Sequence, residues 1–165
     1  MTQPKAAALL EKITRIIPGI AGYQDRETRR DADRAVRIKA AGEVAKCRDR
    51  LSEAMNDLSR SGGGRNLRMV GNLERMITRL ERTEDELRYA PSGYAGWFDS
   101  VGIALEDLER LYEFDLGLLN AAQALPRYIG DTSLIGTDSD WTFDLDEGLR
   151  NLRDTFEGRK SMMES

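Results

Sequence analysis

Apolar side chains recur every three or four residues over two long stretches, and this periodicity constrains the fold more than any other feature of the chain. The first stretch, residues 23–61, contains no proline, and the second covers residues 66–89. Such spacing places the apolar side chains along one side of an α-helix. At 1.5 Å per residue the first helix would be roughly 55–60 Å long. The repeat comprises Ala32, Val36, Ala40, Val44, Cys47, Leu51, Met55 and Leu58, and then Val70, Leu73, Ile77, Leu80 and Leu87.

The two stretches predict a helical hairpin. Between them lies Ser-Gly-Gly-Gly-Arg at 61–65, a sequence suited to a helix end and a tight reversal. Sustained steps of three and four favour a nearly antiparallel, coiled-coil-like contact. Glu84 interrupts the apolar side of the second helix, and Asp115 interrupts that of a later helix. We expect both carboxylates to be buried against arginines as register-setting ion pairs rather than to act as catalytic acids.

The whole chain, 1–165, is predicted to be one all-α domain: an antiparallel helical bundle with a long hairpin (23–61 and 66–89), a third long helix and short terminal helices. No segment shows a strand pattern that we would defend. The first helix either docks on the body of the protein or lies on a membrane surface. The other segments are predicted as a short helix at 5–17, an aromatic connector at 90–103, a helix at 104–125 ended by Pro126, an acidic loop at 127–143, a helix at 144–157 capped by Asp144 and Glu147, and a frayed tail at 158–165.

Composition argues against several function classes. The chain has no histidine, which removes the commonest general base and the commonest transition-metal ligand. The single cysteine, Cys47, cannot form an internal disulfide and is typical of a small core residue in a reducing cytoplasm. No apolar run approaches the roughly 20 residues that cross a bilayer. We therefore predict no enzyme, no cofactor and no metal site, although cation binding by the carboxylates of the 127–143 loop stays open.

Charge is divided unevenly between the two parts of the chain. Residues 1–90 carry 19 basic and 14 acidic side chains, whereas residues 91–165 carry 6 basic and 15 acidic ones. Opposite signs allow the two parts to attract each other within one molecule or between molecules.

Four arginines form a predicted basic ridge on the long helix: Arg26, Arg30, Arg34 and Arg37. At about 100° per residue they fall within an arc of roughly 80°. Three interpretations stay open: pairing within the chain or between copies, a protein partner, or nucleic acid or acidic lipid. Interleaved acids favour pairing, and the internal candidates are Glu106, Asp107, Glu109 and Glu113.

The connector and the residue just before it carry four of the eleven aromatic residues of the chain, namely Tyr89, Tyr94, Trp97 and Phe98. Solvated turns seldom contain Trp-Phe, so this segment either packs as a clamp between the two parts of the chain or forms a partner surface.

Two stretches resemble a family of small helical proteins of bacteria and archaea that have no assigned activity. One is residues 17–34, which opens with Ile-Pro-Gly-Ile-Ala-Gly-Tyr. The other is residues 88–99, which contain Tyr-Ala-Pro-Ser-Gly-Tyr-Ala-Gly-Trp-Phe-Asp, together with Leu-Tyr-Glu-Phe-Asp-Leu at 111–116. Trp97 stands where that family is expected to have phenylalanine, and the acidic loop is particular to this chain. The resemblance implies a cytoplasmic helical accessory of a membrane-associated assembly, encoded near SPFH (band-7) and phage-shock-like membrane-stress proteins. It transfers no catalytic residue.

These observations predict a non-enzymatic interaction or scaffold protein of the cytoplasm, with a position peripheral to the membrane left open. A protein partner or self-association is expected, and a nucleic-acid partner is not favoured. The alternative is an anion-binding helical protein that uses the ridge on nucleic acid or acidic lipid.

Overall fold

The computed structural model describes residues 3–61, 67–90, 95–100, 102–130 and 140–164. Within these ranges every regular element is helical, so the predicted all-α fold is confirmed. A single 3-10 turn at Arg26–Thr28 precedes the second helix. The α-helices are α1 (Gln3–Ile16), α2 (Arg29–Arg60), α3 (Leu67–Arg88), α4 (Ala95–Phe98), α5 (Leu105–Ile129) and α6 (Asp140–Glu164).

Four long helices form a ring in the order α2, α3, α6, α5, with α5 closing back onto α2. The most extensive contacts join α2 to α3 and α5 to α6, which are two helical hairpins. The hairpin predicted from the first two stretches is therefore confirmed. Because α3 and α5 occupy opposite corners of this ring, the connector between them crosses one end of the bundle.

Side-chain pairs fix the directions of the helices. Arg37 at the start of α2 donates to the carbonyls of Leu87 and Arg88 at the end of α3, so these helices are antiparallel. Arg50 late in α2 donates to the carbonyls of Pro126 and Gly130 at the end of α5, so α2 and α5 run the same way.

The core follows the apolar repeat. Within α2 the side chains of Val36, Ala40, Val44 and Leu51 are fully buried, and α3 buries Leu73, Leu80 and Leu87. Helix α5, the third long helix, also buries one apolar side. Burial of apolar surface therefore holds the four long helices together. The buried residues of α5 are Leu108, Leu111, Tyr112, Leu118, Leu119, Ala122 and Leu125.

The first helix docks on the body of the protein. Helix α1 packs against α5 with Ala6 and Ile13 buried, and Lys5 makes an ion pair with Glu113 at 2.7 Å. The chain then turns at Gly22, which has a φ of +80°. A Cβ atom there would collide with the hydroxyl of Tyr112, so only glycine fits this turn.

The long helix begins later than predicted. Residues 23–25 are not helical, because the side chain of Tyr23 is buried and its backbone N–H donates to the hydroxyl of Tyr112 at 3.1 Å. Asp25 then caps the 3-10 turn by accepting from the N–H of Glu27. Buried tertiary hydrogen bonds thus replace the first helical turn that periodicity predicted.

Pro126 does not end the third long helix, as the sequence had predicted. Helix α5 continues to Ile129, whose side chain is only 4% exposed. Gly130 ends it with a φ of +62°, where Arg50 donates to its carbonyl at 2.8 Å. Burial of Ile129 and this hydrogen bond outweigh the loss of one helical hydrogen bond at proline.

The prediction of a capped helix at 144–157 followed by a frayed tail is wrong. Helix α6 spans Asp140–Glu164, so Asp144 and Glu147 lie inside it rather than at its cap. Met162 and Met163 are 6% and 3% exposed, and Arg159 is fully buried. The tail stays helical because it carries core side chains.

The other predicted boundaries hold to within a few residues. The aromatic connector contains one helical turn, α4, and the acidic loop is helical at both of its ends. The middle of that loop (131–139), most of the glycine turn (62–66) and connector residues 91–94 lie outside the described residues. In the part of the chain that is described, no helix combines the length and the apolarity that crossing a membrane requires.

Replacing both Met162 and Met163 with alanine should lower the free energy of unfolding by about 4 kcal/mol, because two buried side chains are truncated. Chemical denaturation measures this loss. Ser161→Ala, at an exposed site between core positions, is the control and should change little. A double variant as stable as the control would contradict the buried tail.

Cys47 should resist alkylation while the protein is folded. Burial raises the pKa of its thiol to about 12, so at pH 8 the thiolate is on the order of a thousandfold scarcer than in the unfolded chain. The folded state therefore favours the neutral thiol of Cys47. As the pH rises above the pKa that this thiol has in the unfolded chain, the free energy of unfolding should fall. Iodoacetamide labelling with and without denaturant measures the difference, and equal rates would contradict it.

Candidate functional site

The predicted arginine ridge is divided by the structure. Arg26, Arg30 and Arg34 are exposed, whereas the side chain of Arg37 is only 11% exposed. Arg37 donates to Asp33 at 3.0 Å and to the carbonyl of Leu87 at 2.9 Å. Three ridge arginines are thus available to ligands, and the fourth belongs to the fold.

The ridge meets the connector through one exposed ion pair. Nη2 of Arg30 lies 2.9 Å from Oδ1 of Asp99, and both side chains are about half exposed. The hydrogen bond from Arg30 holds the pKa of Asp99 below its ordinary value. Two of the four acidic partners that the sequence suggested on α5, Glu109 and Glu113, lie against Lys5 instead.

The connector aromatics have different roles. Phe98 is 3% exposed and stacks on the ring of Tyr23 with centroids 6.2 Å apart, so the predicted packing is confirmed for this residue. Trp97 is half-buried and meets Phe98 edge to face at 5.5 Å. Tyr89 is 76% exposed, and Tyr94 lies outside the described residues.

Three arginines of α2 cap the carboxyl ends of other helices. Arg29 is 2% exposed and donates to the carbonyls of Phe98 at 3.1 Å and Ser100 at 2.8 Å, at the end of α4. Arg37 does the same for α3, and Arg50 for α5. The last carbonyls of a helix have no partner inside the helix and carry a partial negative charge, so a guanidinium suits them. Much of the basic character of α2 therefore serves the fold.

A fully enclosed ionic cluster lies where α2, α5 and α6 meet. We call Tyr23, Asp33, Asp115 and Arg159 the buried cluster. Nε of Arg159 donates to Oδ1 of Asp115 at 2.6 Å, and the hydroxyl of Tyr23 donates to the other oxygen of Asp115 at 2.6 Å. Nη2 of Arg159 also lies 2.6 Å from Oδ1 of Asp33, but without hydrogen-bond geometry, so that contact is ionic only. Arg159, Asp115 and Tyr23 are each 0% exposed.

The electrostatics of the buried cluster favour charge on Arg159. Burial opposes that charge, but the attraction of Asp115, Tyr23 and Asp33 outweighs it and raises the pKa of Arg159 well above its ordinary value. Burial also raises the pKa of Asp115, and Arg159 and Tyr23 offset part of that effect. Each oxygen of Asp115 accepts a hydrogen bond, one from Arg159 and one from Tyr23, and this arrangement suits the ionised carboxylate.

The sequence predicted one of the four members of the buried cluster, Asp115. The predicted burial of Asp115 against an arginine is confirmed, and Glu84 likewise lies against Arg48 and Arg88. Arg159 itself was missed, because it lies in the segment assigned to a frayed tail. One signal was present: the apolar spacing Leu149, Leu152, Phe156 continues to Met163, with Arg159 one turn after Phe156.

A surface groove of about 420 Å³ separates α3 from α6. Four arginines line it (Arg79, Arg82, Arg150 and Arg153), together with three carboxylates, those of Asp146, Asp154 and Glu157. Arg79 pairs with Asp146, while Arg82 and Arg153 pair with Glu86. These local pairs nearly balance the charge, so the groove does not favour an anion.

No metal centre is indicated by the described residues. Among them, no three histidine, cysteine or carboxylate side chains lie close enough together to hold an ion. Asp144, Asp146 and Glu147 of the acidic segment lie on α6, and Asp138 lies outside the described residues. Cation binding at residues 131–139 stays open.

Arg159→Met should destabilise the protein by about 3–5 kcal/mol at pH 7, because it leaves the buried carboxylate of Asp115 without its cation and Asp33 with Arg37 alone. Without Arg159, burial raises the pKa of Asp115 with less opposition, and Asp33 raises it further. A carboxyl whose pKa is raised in the folded state makes the protein less stable as the pH increases. The loss of unfolding free energy in Arg159→Met should therefore shrink as the pH falls towards about 4.

Urea denaturation at several pH values measures both effects. Tyr23→Phe is the milder comparison, with an expected loss of about 2 kcal/mol from its hydrogen bond to the charged Asp115. A deficit for Arg159→Met that is below about 1 kcal/mol, or that does not vary with pH, would contradict the assignment.

Comparison with known proteins identifies no relative: no family model, no curated protein and no solved structure matches the chain. The resemblance based on residues 17–34, 88–99 and 111–116 therefore stays a prediction.

Proposed function

We propose that the protein is a non-enzymatic interaction protein whose binding surface is the bundle end crossed by the connector. One observation carries the proposal: the interior charges are enclosed and neutralise one another, while arginines and a tyrosine stay exposed at this end. Arg159 and Asp115 are 0% exposed, but Tyr89 is 76% exposed. A substrate has no access to the buried cluster, whereas a macromolecule has access to the bundle end.

The exposed residues at this end belong to three segments that lie side by side. Arg30 contacts Asp99 of the connector, and Arg37, two turns further along α2, contacts the last carbonyls of α3 just before Tyr89. Arg26 precedes Arg30 by one turn and acts electrostatically on Asp99. We call Arg26, Arg30, Tyr89 and Trp97 the connector end.

Chemistry at the connector end favours a protein partner with a mixed-charge surface. Tyrosine, tryptophan and arginine are the residue types that contribute most at protein interfaces. Trp97 is held edge to face on the buried Phe98, so it is presented on a rigid support. The resemblance described above suggests the setting, a cytoplasmic accessory of a membrane-associated assembly, and that setting is part of the proposal.

A second candidate, binding of nucleic acid or acidic lipid, has one supporting observation. Three ridge arginines are exposed, and a phosphate would compete for Arg30 with an exposed carboxylate, a contact that is weak in water. Asp25, Glu27 and Asp31 are exposed beside them, which makes the ridge a poorer site for a polyanion than for a mixed-charge protein surface.

The test compares variants of the connector end with a charge-reversal control on α3 for their ability to capture a partner protein. Arg26→Glu with Arg30→Glu, and separately Tyr89→Ala, should weaken binding of a reproducible partner by about tenfold or more, because each removes an anchor of the connector end. Arg75→Glu with Arg82→Glu, on exposed positions of α3, is the matched control and should retain binding. Isothermal titration with the purified partner measures each affinity.

Two results would count against the proposal. One is the absence of any reproducible partner with or without membranes, and the other is equal loss in the control. The second candidate instead predicts binding to duplex DNA or to phosphatidylglycerol vesicles that weakens steeply with salt and is lost in the Arg26/Arg30 variant.

A further inference from the structure

The middle of α2 presents a face to solvent that no other described helix covers. Arg34 and Asp49 are exposed, Ile38 is 39% exposed, and Gly42 and Ala45 are half-buried. These five residues, spaced by three or four, form one continuous stripe, which we call the α2 outer face. An isoleucine, a glycine and an alanine thus lie between a cation and an anion.

The order of charges along the α2 outer face is self-complementary. Arg34 and Asp49 lie at equal distances in sequence from the point midway between Ala41 and Gly42, and Ile38 and Ala45 do so too. The same symmetry extends outward to Arg30 and Glu53, which are also exposed. Two copies of α2 laid antiparallel across that point therefore place cation against anion on both sides and small apolar side chains at the centre.

Gly42 provides an independent argument. Glycine is a poor helix former, and this one lies in the middle of a helix of 32 residues. A Cβ atom at Gly42 would have no neighbour within 4 Å, so nothing inside the monomer requires glycine there. A second helix crossing at this point would require it, because the two backbones approach most closely where the side chain is absent.

From these observations we infer that the protein forms a two-fold symmetric dimer through the α2 outer face, with Arg34 of each copy against Asp49 of the partner subunit. Ridges of residues spaced by four interdigitate when two helices cross at about −50°. The stretch from Arg34 to Asp49 covers roughly 22 Å of helix, which is a typical length for such a crossing. The occupant is a second copy because each half of the face complements the other half of the same face.

Existing contacts of these residues do not prevent the dimer. Asp49 lies 3.2 Å from Arg48, its neighbour in sequence, and its side chain is 67% exposed. Exposed pairs of this kind are weak and are exchanged readily for contacts that exclude water. The inference goes beyond the proposed function, because it needs no partner of another sequence and does not use Tyr89 or Trp97.

A charge swap tests the dimer. Sedimentation velocity over a wide range of protein concentration should show a monomer–dimer equilibrium for the unmodified chain. Arg34→Glu alone and Asp49→Lys alone should each raise the dissociation constant by about tenfold or more, because each creates two like-charge contacts per dimer. The double variant should restore the affinity, since the pair is reformed with its signs exchanged.

Gly42→Leu supplies a second measurement that does not depend on charge. The open space at Gly42 accepts the side chain in the monomer, so the helix content by circular dichroism should be unchanged while the dimer is lost. Arg75→Glu on α3 is the matched control and should leave the dissociation constant unchanged.

The inference is overturned if the unmodified chain is monomeric at every concentration, or if the double charge swap is as weak as the single changes. A dimer that survives Gly42→Leu would also overturn it. These outcomes are separate from the proposed function, since Tyr89→Ala tests capture of a different protein and leaves every residue of the α2 outer face in place.

Discussion

The ion pair that Arg159 makes with Asp115 and Asp33 is the interaction on which the rest of the structure depends. It joins α6 to α5 and α2 at one point in the interior, and Tyr23 brings the segment before α2 to the same point. A buried charge is tolerated only when its partners are in place, so the cluster permits one axial register of these helices and penalises others. The apolar core is less selective, because leucine and alanine side chains repack at modest cost.

Arginines of α2 cap the carboxyl ends of three other helices. The arginines at 29, 37 and 50 donate to the last carbonyls of α4, α3 and α5. Each cap satisfies groups that a helix leaves unpaired, and each ties a helix end to the longest helix of the bundle. Part of the positive charge of α2 is therefore structural. Arg30 and Arg34 of the same helix, in contrast, stay exposed.

The crossing of the connector explains its composition. The connector joins α3 to α5, which occupy opposite corners of the ring, so it crosses one end of the core. Phe98 closes that end by stacking on Tyr23, and Arg29 holds the backbone at Phe98 and Ser100. Trp97 lies at the boundary with solvent, and Tyr89 lies beyond it. One segment thus contains a core aromatic, a boundary aromatic and an exposed one, with different consequences for stability and for binding.

The sequence by itself determined the helical hairpin, the apolar sides of α2, α3 and α5, and the burial of Asp115 and Glu84, because all of these follow from local periodicity. It did not reveal Arg159 as the partner of Asp115, the non-helical start at Tyr23, or the continuation of α5 beyond Pro126. Each of those depends on a contact between residues far apart in the chain, such as the 44 residues between Asp115 and Arg159. Only the tertiary structure decided them, because a helix end is set by what its last turns are packed against, and helical periodicity carries no information about that neighbour.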